Sequence, residues 1–234
     1  MYSEKRIIKN TDVNINRNLR SSSIFTIAQE VAMIHSTKIG MDTDQTFDKG
    51  ILWVVARQAA QIYKIPQYEH TVTVETWLGN PMHMFFPRYT RFKDAAGNTL
   101  IEINAIWTLI DAKNRTTINI EDTEMTLVPE VQYGEFPRPK PIRKIPIEKS
   151  IEHTVLYSYT DMNGHFTNAR YLDITENMIP EIASTQIPKS IKVEYASEVP
   201  FGEKFTLSYG HTDNLHYFSG DTEDRHKFAV QIEY

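Results

Sequence analysis

The chain has 234 residues, with 25 Lys and Arg against 30 Asp and Glu, so its formal net charge is −5. Its 41% apolar and 24% charged residues are typical of a folded globular protein and exclude a disordered or collagen-like chain. The acidic balance argues against a nucleic-acid-binding protein, because such proteins need a basic surface to displace counterions from phosphate.

Cysteine is absent, which excludes disulfides, thiolate–metal sites and a cysteine nucleophile. The N-terminus lacks the apolar run of a signal peptide, and no segment approaches the roughly 18 apolar residues of a membrane span. The tripeptide Asn114-Arg115-Thr116 fits a glycosylation acceptor, but this has no meaning without a secretory signal. We therefore expect a cytoplasmic protein without a membrane span.

An apolar stripe after Ser23 predicts the first helix, because apolar residues recur there at helical spacing: Ile24, Ile27, Ala28, Val31 and Ile34. Ser22 or Ser23 is placed to cap the start of this helix, and Gly40 to end it. Strand-like segments follow at residues 51–55 and 71–77. A hairpin is predicted over residues 84–110, with its turn at residues 94–98.

A proline-rich basic segment then separates two halves. Residues 136–146 hold four prolines and four cations without an acid, which favours extended backbone and excludes a central strand. Beyond it we predict a strand at 151–159, a helix at 168–182 capped by Thr167 or Asn168, strands near 190–196 and 204–209, and a hairpin across 221–224. We assign residues 1–132 to an N-terminal half, 133–148 to the linker and 149–234 to a C-terminal half.

The order of a helix followed by antiparallel strands occurs twice. An antiparallel sheet wrapped around a central helix is the hot-dog arrangement, so the sequence predicts an α+β protein with a tandem, or double, hot-dog: two antiparallel sheets, each wrapped around a central helix. Two copies in one chain make the usual hot-dog pair internal, although two such chains can still form a homodimer. One short match accompanies the repeat: Thr11-Asp12-Val13-Asn14 against Thr160-Asp161-Met162-Asn163.

The densest polar cluster precedes the second predicted helix and contains Asp161, Asn163 and His165. In an extended segment, side chains two residues apart face the same way, so an acid, an amide and an imidazole would converge. The helix N-terminus behind them would offer N–H groups to an oxyanion. The alternative is that these residues and Gly164 build a turn. A calcium loop is excluded, because the sixth position is Phe166 rather than glycine.

Asp161-x-Asn163-x-His165-x-x-Asn168-x-x-Tyr171 resembles the signature of the acyl-acyl carrier protein (acyl-ACP) thioesterases of plants and bacteria. The segment Ile191-Lys192-Val193-Glu194-Tyr195-Ala196-Ser197-Glu198-Val199 is similar to the second catalytic segment of that family. In the first half, Leu52-Trp53-Val54-Val55-Ala56-Arg57 and Val74-Glu75-Thr76-Trp77 resemble two family strands, and Trp107 matches a later tryptophan. The order and spacing of the motifs match the family from about residue 20 to 210.

The resemblance implies an enzyme that hydrolyses fatty acyl-ACP to free fatty acid and holo-ACP, with the first half setting the acyl chain specificity. It implies catalytic roles for Asp161, Asn163, His165 and Glu198. It implies no metal and no cofactor, since the phosphopantetheine arm belongs to the carrier protein. The family often has cysteine after Glu198, where this chain has Val199, so water must be the nucleophile.

We hypothesise that Glu198 is the general base and that His165 orients the water or shares the proton. Asn163 would position the reacting group, and Asp161 would fix the loop or the histidine. Which of Glu198 and His165 accepts the proton is left open by the sequence. Without the resemblance, Glu198 would be an ordinary exposed acid in a turn.

Two further sets of residues are weaker candidates. An acyl pocket or ordinary packing is predicted for Met82, Met84, Phe85 and Phe86. Docking of the acidic carrier protein, or simple solvation, is predicted for Arg138, Lys140, Arg143 and Lys144. His211 and His216 are interpreted as surface histidines rather than a metal pair. An acyl-CoA thioesterase and a non-catalytic acyl-binding protein remain the alternatives, and the acyl chain length is open.

Overall fold

The computed structural model describes residues 1–41, 46, 48–123, 125, 130 and 135–234. Its first helix, α1 (Ser21–Lys38), buries the predicted apolar stripe at Ile24, Ile27, Ala28 and Val31, while Ile34 is exposed. Gly40 follows the helix with a φ of 73°, a left-handed conformation that glycine adopts without steric cost. The predicted serine caps are wrong, because the helix begins earlier and its N-cap is Arg20, without a side-chain cap.

Eleven strands lie in the described part of the chain: β1 (Tyr2–Ile7), β2 (Ile51–Ile62), β3 (Thr71–Leu78), β4 (Phe86–Lys93), β5 (Thr99–Asp111), β6 (Thr117–Ile118), β7 (Lys149–Thr154), β8 (Ser190–Tyr195), β9 (Lys204–Thr212), β10 (Leu215–Asp221) and β11 (His226–Glu233). Short 3-10 turns occur at Asn10–Asp12, Ile120–Asp122 and Tyr157–Tyr159. The predicted first hairpin is β4–β5. Its turn is built by Asp94, whose Oδ1 accepts hydrogen bonds from the N–H groups of Ala96 (2.9 Å) and Asn98 (2.8 Å).

All of these strands belong to one antiparallel sheet, in the order β1-β3-β4-β5-β2-β8-β11-β10-β9-β7, with β6 paired to β5. The first five strands of this path and the last five mirror one another around the β2–β8 pair. At that pair, Arg57 to Gln61 run opposite Glu194 to Ser190, with Ala59 facing Lys192. The predicted double hot-dog is confirmed, but the two sheets expected for the two halves join into one through the β2–β8 pair. The helices of both halves lie on one face of this sheet and contact each other.

The second half carries two short helices where one was predicted. These are α2 (Arg170–Glu176) and α3 (Pro180–Thr185), separated by residues 177–179. Pro180 begins α3 because proline lacks the N–H that a continuing helix would need, whereas the first turn of a new helix does not. The predicted caps Thr167 and Asn168 are also wrong, since the N-cap of α2 is Ala169.

The main core lies between the helices and the sheet. α1 packs on β3 and β1, α2 packs on β11, and the two helices touch each other. Isoleucine, valine and phenylalanine side chains from both halves form one continuous cluster. Trp77 is buried, whereas Trp53 and Trp107 are only partly buried and pack on a second small cluster with Ile51, Phe86 and Leu109.

Described linker residues 135–148 contain no helix or strand, and they cross the sheet face opposite the helices. The Phe136 ring packs edge-on against Trp77, at 5.3 Å between ring centroids. The N–H of Ile142 donates to Glu194 Oε2 at 3.1 Å, and the N–H of Glu148 donates to the Tyr209 carbonyl at 2.8 Å. The linker is therefore attached along its length and ties the outer faces of the two halves together.

Candidate active site

The polar cluster of the second half forms a tight turn. Asp161 Oδ1 accepts hydrogen bonds from the backbone N–H groups of Asn163 (2.8 Å) and His165 (3.2 Å). The N–H of Gly164 donates to the Asp161 carbonyl at 3.0 Å, and Gly164 adopts a φ of 76°. The expectation of an extended segment is therefore wrong, because the Asp161 carboxylate folds back onto its own backbone. Asp161 shapes the loop.

Hydrogen bonds to the segment after β8 bring His165 and Glu198 together. The N–H of Phe166 donates to the Val199 carbonyl at 2.8 Å, and His165 forms a bridge with Pro200. As a result, His165 Nε2 lies 3.6 Å from Glu198 Oε2. The imidazole is 22% exposed and the carboxylate 38% exposed, so solvent and a substrate can reach both groups. Val199 has its side chain fully buried in the core.

Arg115 is a third group at this site, and it comes from the first half. Its Nη1 lies 3.1 Å from Glu198 Oε1, so each carboxylate oxygen of Glu198 faces one nitrogen-bearing side chain. The backbone carbonyl of Glu198 accepts a hydrogen bond from the buried Lys227 Nζ at 3.2 Å. Sequence reasoning missed Arg115, because no local pattern links it to an acid in the other half.

Asn163 and Asn168 differ in their surroundings. The Asn163 side chain is exposed and makes no hydrogen bond to the described part of the chain, so its amide is available to a ligand. The Asn168 amide lies 3.4 Å from Gln29 Oε1 on α1, and its carbonyl accepts a hydrogen bond from the Tyr195 hydroxyl at 3.2 Å. Burial raises the pKa of Tyr195, so this phenol remains neutral. Its hydroxyl also accepts a hydrogen bond from Gln58 Nε2 of the first half at 3.1 Å, which helps to join the two halves beneath the loop.

The same loop is built a second time in the first half. Asn14 Oδ1 accepts from the N–H groups of Asn16 (3.0 Å) and Asn18 (3.1 Å), as Asp161 does from Asn163 and His165. The N–H of Leu19 donates to the Pro66 carbonyl at 2.9 Å, as Phe166 does to Val199. Asn18 therefore stands where the second half has His165.

The residue before Pro66 is Ile65, which thus occupies the place of Glu198 and is buried. The acid–imidazole pair is therefore present in one copy of the loop and absent from its counterpart. These hydrogen bonds also correct the short match in sequence, because the structural partner of Asp161 is Asn14 rather than Asp12.

A cavity of about 430 Å³ lies at the first-half copy of the loop rather than beside His165 and Glu198. Its lining includes Asn18, Ser21 and Ile65 from the first half and Glu176 from α2. The Ser21 hydroxyl donates to Glu176 Oε1 at 2.5 Å, and burial raises the pKa of the Glu176 carboxyl to about 7. Gln29 holds the corresponding position beside Asn168 at the candidate active site.

The four candidate pocket residues lie at and beside the β3–β4 connection. Met82 and Phe85 are 51% and 41% exposed and form a tight bridge with each other, while Met84 is partly buried. Phe86 is buried and packs edge-on against Trp53 at 5.1 Å between ring centroids. Whether any of the four contacts an acyl chain stays a prediction.

The other candidates also have defined positions. All four linker cations are exposed, and none forms an ion pair with a described residue: Arg138, Lys140, Arg143 and Lys144. His211 is exposed, as predicted, but His216 is buried, and its Nδ1 lies 3.0 Å from the Tyr209 hydroxyl. The prediction for His216 is wrong because its strand position faces a ring stack with Tyr209 and His211.

The described residues contain neither a metal-binding cluster nor a membrane-spanning helix. No group of three or more His, Cys, Asp or Glu side chains there is arranged to hold a metal ion. No helix there is both long and apolar enough to cross a membrane.

One antiparallel sheet carrying the helices of both halves on one face, with a histidine and a glutamate paired beside an arginine of the other half, defines a double hot-dog protein with a composite polar site. Models of the acyl-ACP thioesterase N-terminal and C-terminal domains match residues 1–127 and 143–233. The chain belongs to the acyl-ACP thioesterase family.

Individual relatives agree with this assignment. The chain is 28% identical over 217 residues to the chloroplastic oleoyl-acyl carrier protein thioesterase 2 of Arabidopsis thaliana, covering 84% of this chain and 59% of that protein. It therefore spans about three fifths of that relative's length.

Two solved structures share the fold along nearly the whole chain. An acyl-ACP thioesterase from Bacteroides thetaiotaomicron superposes with a TM-score of 0.81 at 18% identity, covering 99% of this chain and 96% of that one. The 12:0-ACP thioesterase from Umbellularia californica gives a TM-score of 0.83 at 16% identity, with the same coverage of 99% and 96%.

Proposed function

We propose that this protein hydrolyses the thioester of fatty acyl-ACP to free fatty acid and holo-ACP. The observation that carries the proposal is the pairing of His165 with Glu198 at 3.6 Å, from two separate segments of a chain in the acyl-ACP thioesterase family. The Arabidopsis thaliana relative is named an oleoyl-acyl carrier protein thioesterase, which supports the same reaction here. The chain has no cysteine, which excludes a cysteine acyl-enzyme, and in this proposal water is the nucleophile.

The geometry supports a division of roles between the two groups. A separation of 3.6 Å is too long for a direct hydrogen bond but lets one water molecule contact both Nε2 and Oε2. Arg115 occupies Oε1, so Oε2 is the oxygen left for the water. In this proposal Glu198 accepts the proton and His165 orients the water; the reverse assignment uses the same contacts.

The tetrahedral intermediate needs a donor for its oxyanion. The Asn163 amide supports this role, because it is exposed and lies in the same turn as His165. Asp161 holds the turn through its two backbone hydrogen bonds and does not itself need to touch the substrate. The thiolate leaving group needs little assistance, so no cofactor or metal is part of the proposal.

The first experiment measures thiol release from acyl-ACPs of short to long chain, with the matching acyl-CoA series beside it. Faster turnover on the carrier protein is the expected result, and the profile gives the chain length. Equal or faster turnover on acyl-CoA would favour the alternative acyl-CoA thioesterase. Saturable binding without thiol release on either carrier would indicate a non-catalytic acyl-binding protein.

Replacement of the acid tests the mechanism. Glu198→Gln keeps the side-chain shape but cannot accept a proton, so we expect kcat to fall by roughly 10²–10⁴-fold. Glu223→Gln, in an exposed turn, is the matched control and should turn over normally. Near wild-type turnover of Glu198→Gln would remove Glu198 from the role of base.

Further proposals accompany the activity. The first half sets the acyl chain specificity, and residues 149–234 form the catalytic half. The exposed linker cations attract the acidic carrier protein. Reversing the charges of Arg138, Lys140, Arg143 and Lys144 should raise KM for acyl-ACP at low salt and leave KM for acyl-CoA unchanged. Sedimentation velocity tests whether two chains associate as a homodimer, and imaging of a tagged chain tests the proposed cytoplasmic location.

A further inference from the structure

Arg115 belongs to a turn that fixes its position. The turn connects β5 to β6, and Asp111 Oδ1 accepts hydrogen bonds from the N–H groups of Lys113 (2.9 Å) and Asn114 (2.6 Å). The N–H of Arg115 donates to the Asp111 carbonyl at 2.9 Å, and the N–H of Asp111 donates to the Thr116 carbonyl at 2.8 Å. Arg115 itself has a φ of 57°, in the left-handed region. The backbone that carries the guanidinium is therefore well defined.

The Arg115 guanidinium and the His165 imidazole face different oxygens of the Glu198 carboxylate. Arg115 Nη1 lies 3.1 Å from Oε1, and His165 Nε2 lies 3.6 Å from Oε2. A glutamate side chain has three rotatable bonds, so a carboxylate that is 38% exposed would otherwise sample several rotamers. Contact with Arg115 selects the rotamer that turns Oε2 toward His165.

We propose that Arg115 is a positioning residue: the first half holds the Glu198 carboxylate in its reactive orientation for hydrolysis in the second half. This rests on the proposed thioester hydrolysis. Arg115 acts through Glu198 and does not contact the substrate. The site is consequently shared between the halves, because its acid and imidazole come from one half and the group that orients the acid comes from the other.

The main test is a double-mutant cycle in kcat. Arg115→Met retains the side-chain length without the charge, and we expect it to lower kcat about 10-fold or more with KM unchanged. In the Glu198→Gln background the same change should have less than about a 2-fold effect, because the carboxylate that it orients is gone. Arg115→Lys should recover part of the rate, since a single ammonium can still contact Oε1. An equal loss in both backgrounds would overturn the proposal.

The substrate series separates orientation of Glu198 from substrate binding. An acyl-N-acetylcysteamine thioester has no phosphate, so the kcat loss of Arg115→Met should persist on it. A raised KM on acyl-ACP with normal kcat, or normal turnover on the phosphate-free thioester, would show that Arg115 binds the phosphate of the carrier arm and would overturn the proposal. Lys113→Met, in the same turn, is the control and should keep wild-type kinetics.

Structural damage and failure of the activity give different results. The Arg115–Glu198 pair is exposed on both sides, so the Tm of Arg115→Met should stay close to that of the wild type. A large fall in the Tm of Arg115→Met, together with an equal loss of kcat when the same change is made in the Glu198→Gln background, would indicate a folding role for Arg115. That result would refute positioning. Absence of thiol release by the wild-type chain from every thioester would refute the hydrolysis itself. Wild-type activity with unchanged Arg115→Met kinetics would refute only the role of Arg115.

Discussion

Glu176 makes the stability of the folded chain depend on pH. The carboxyl lies on α2, accepts a hydrogen bond from Ser21 at 2.5 Å and borders the first-half cavity. Burial is the largest cause that raises its pKa from 4.5 to about 7, and the nearby Asp173 adds to the rise. Because the pKa is higher in the folded chain than in the unfolded chain, the contribution of this carboxyl to folding stability is fully present below pH 4.5. That contribution is lost as the pH rises through 7.

The size of the effect follows from the shift. A change from 4.5 to about 7 corresponds to about 3 kcal/mol between the two ends of that range. Glu176→Gln is neutral at every pH, and glutamine already occupies the corresponding position beside Asn168, as Gln29. We therefore expect Glu176→Gln to stabilise the protein by up to about 3 kcal/mol at pH 8 and to change little at pH 4.5.

Urea unfolding at pH 4.5 and pH 8 measures this difference for both chains. In thermal melts at pH 8, the variant should gain roughly 6–12 °C in Tm for a chain of this size. Glu181→Gln, an exposed acid on the neighbouring α3, is the control and should leave the pH dependence unchanged. Parallel pH dependence in the wild type and Glu176→Gln would refute the reasoning, since the carboxyl would then titrate alike in the folded and unfolded chains.

Two other predictions concern the core and the linker. Burial and the nearby Arg88 lower the pKa of His35 from 6.5 to about 4, so the folded protein loses stability as the pH falls through that range. In urea unfolding, His35→Gln should therefore lose about 3 kcal/mol less than the wild type between the two ends of the range. Gly210→Ala would place a Cβ 2.0 Å from the Pro146 carbonyl oxygen, so the linker must lift. We expect a loss of roughly 1–3 kcal/mol and faster proteolysis near residue 146, whereas an unchanged protein would contradict the contact.

The periodic parts of the fold could be predicted from sequence. The apolar stripe of α1 and the hairpin at Asp94 depend on local spacing and local hydrogen bonds, which a single segment contains. The break between α2 and α3 could have been predicted from Pro180, but the apolar pattern continued across it. Serine and threonine positions are poor guides to these helix starts, because the N-caps are Arg20 and Ala169, and neither supplies a side-chain cap.

The candidate site could be predicted only where a family motif contains its residues. The family resemblance predicts His165 and Glu198 as catalytic residues, and hydrogen bonds between their two segments bring them together. Arg115 could not be predicted, since its contact with Glu198 depends on how the two halves meet. The burial of His216 could not be predicted from its own strand, because burial on a sheet face depends on neighbouring strands. Here the neighbour is Tyr209, whose hydroxyl contacts the imidazole.

The β2–β8 pair also determines what a severed chain would do. Each half covers the other's exposed strand edge through a short antiparallel register centred on Ala59 and Lys192. A fragment ending before the linker would keep the β2–β5 pair but leave the other edge of β2 unpaired, and an unpaired edge recruits another strand. The same near-symmetry would let β2 pair with a second β2, so the isolated first half should self-associate. A fragment of the second half would do so through β8, giving two acid–imidazole pairs and no Arg115.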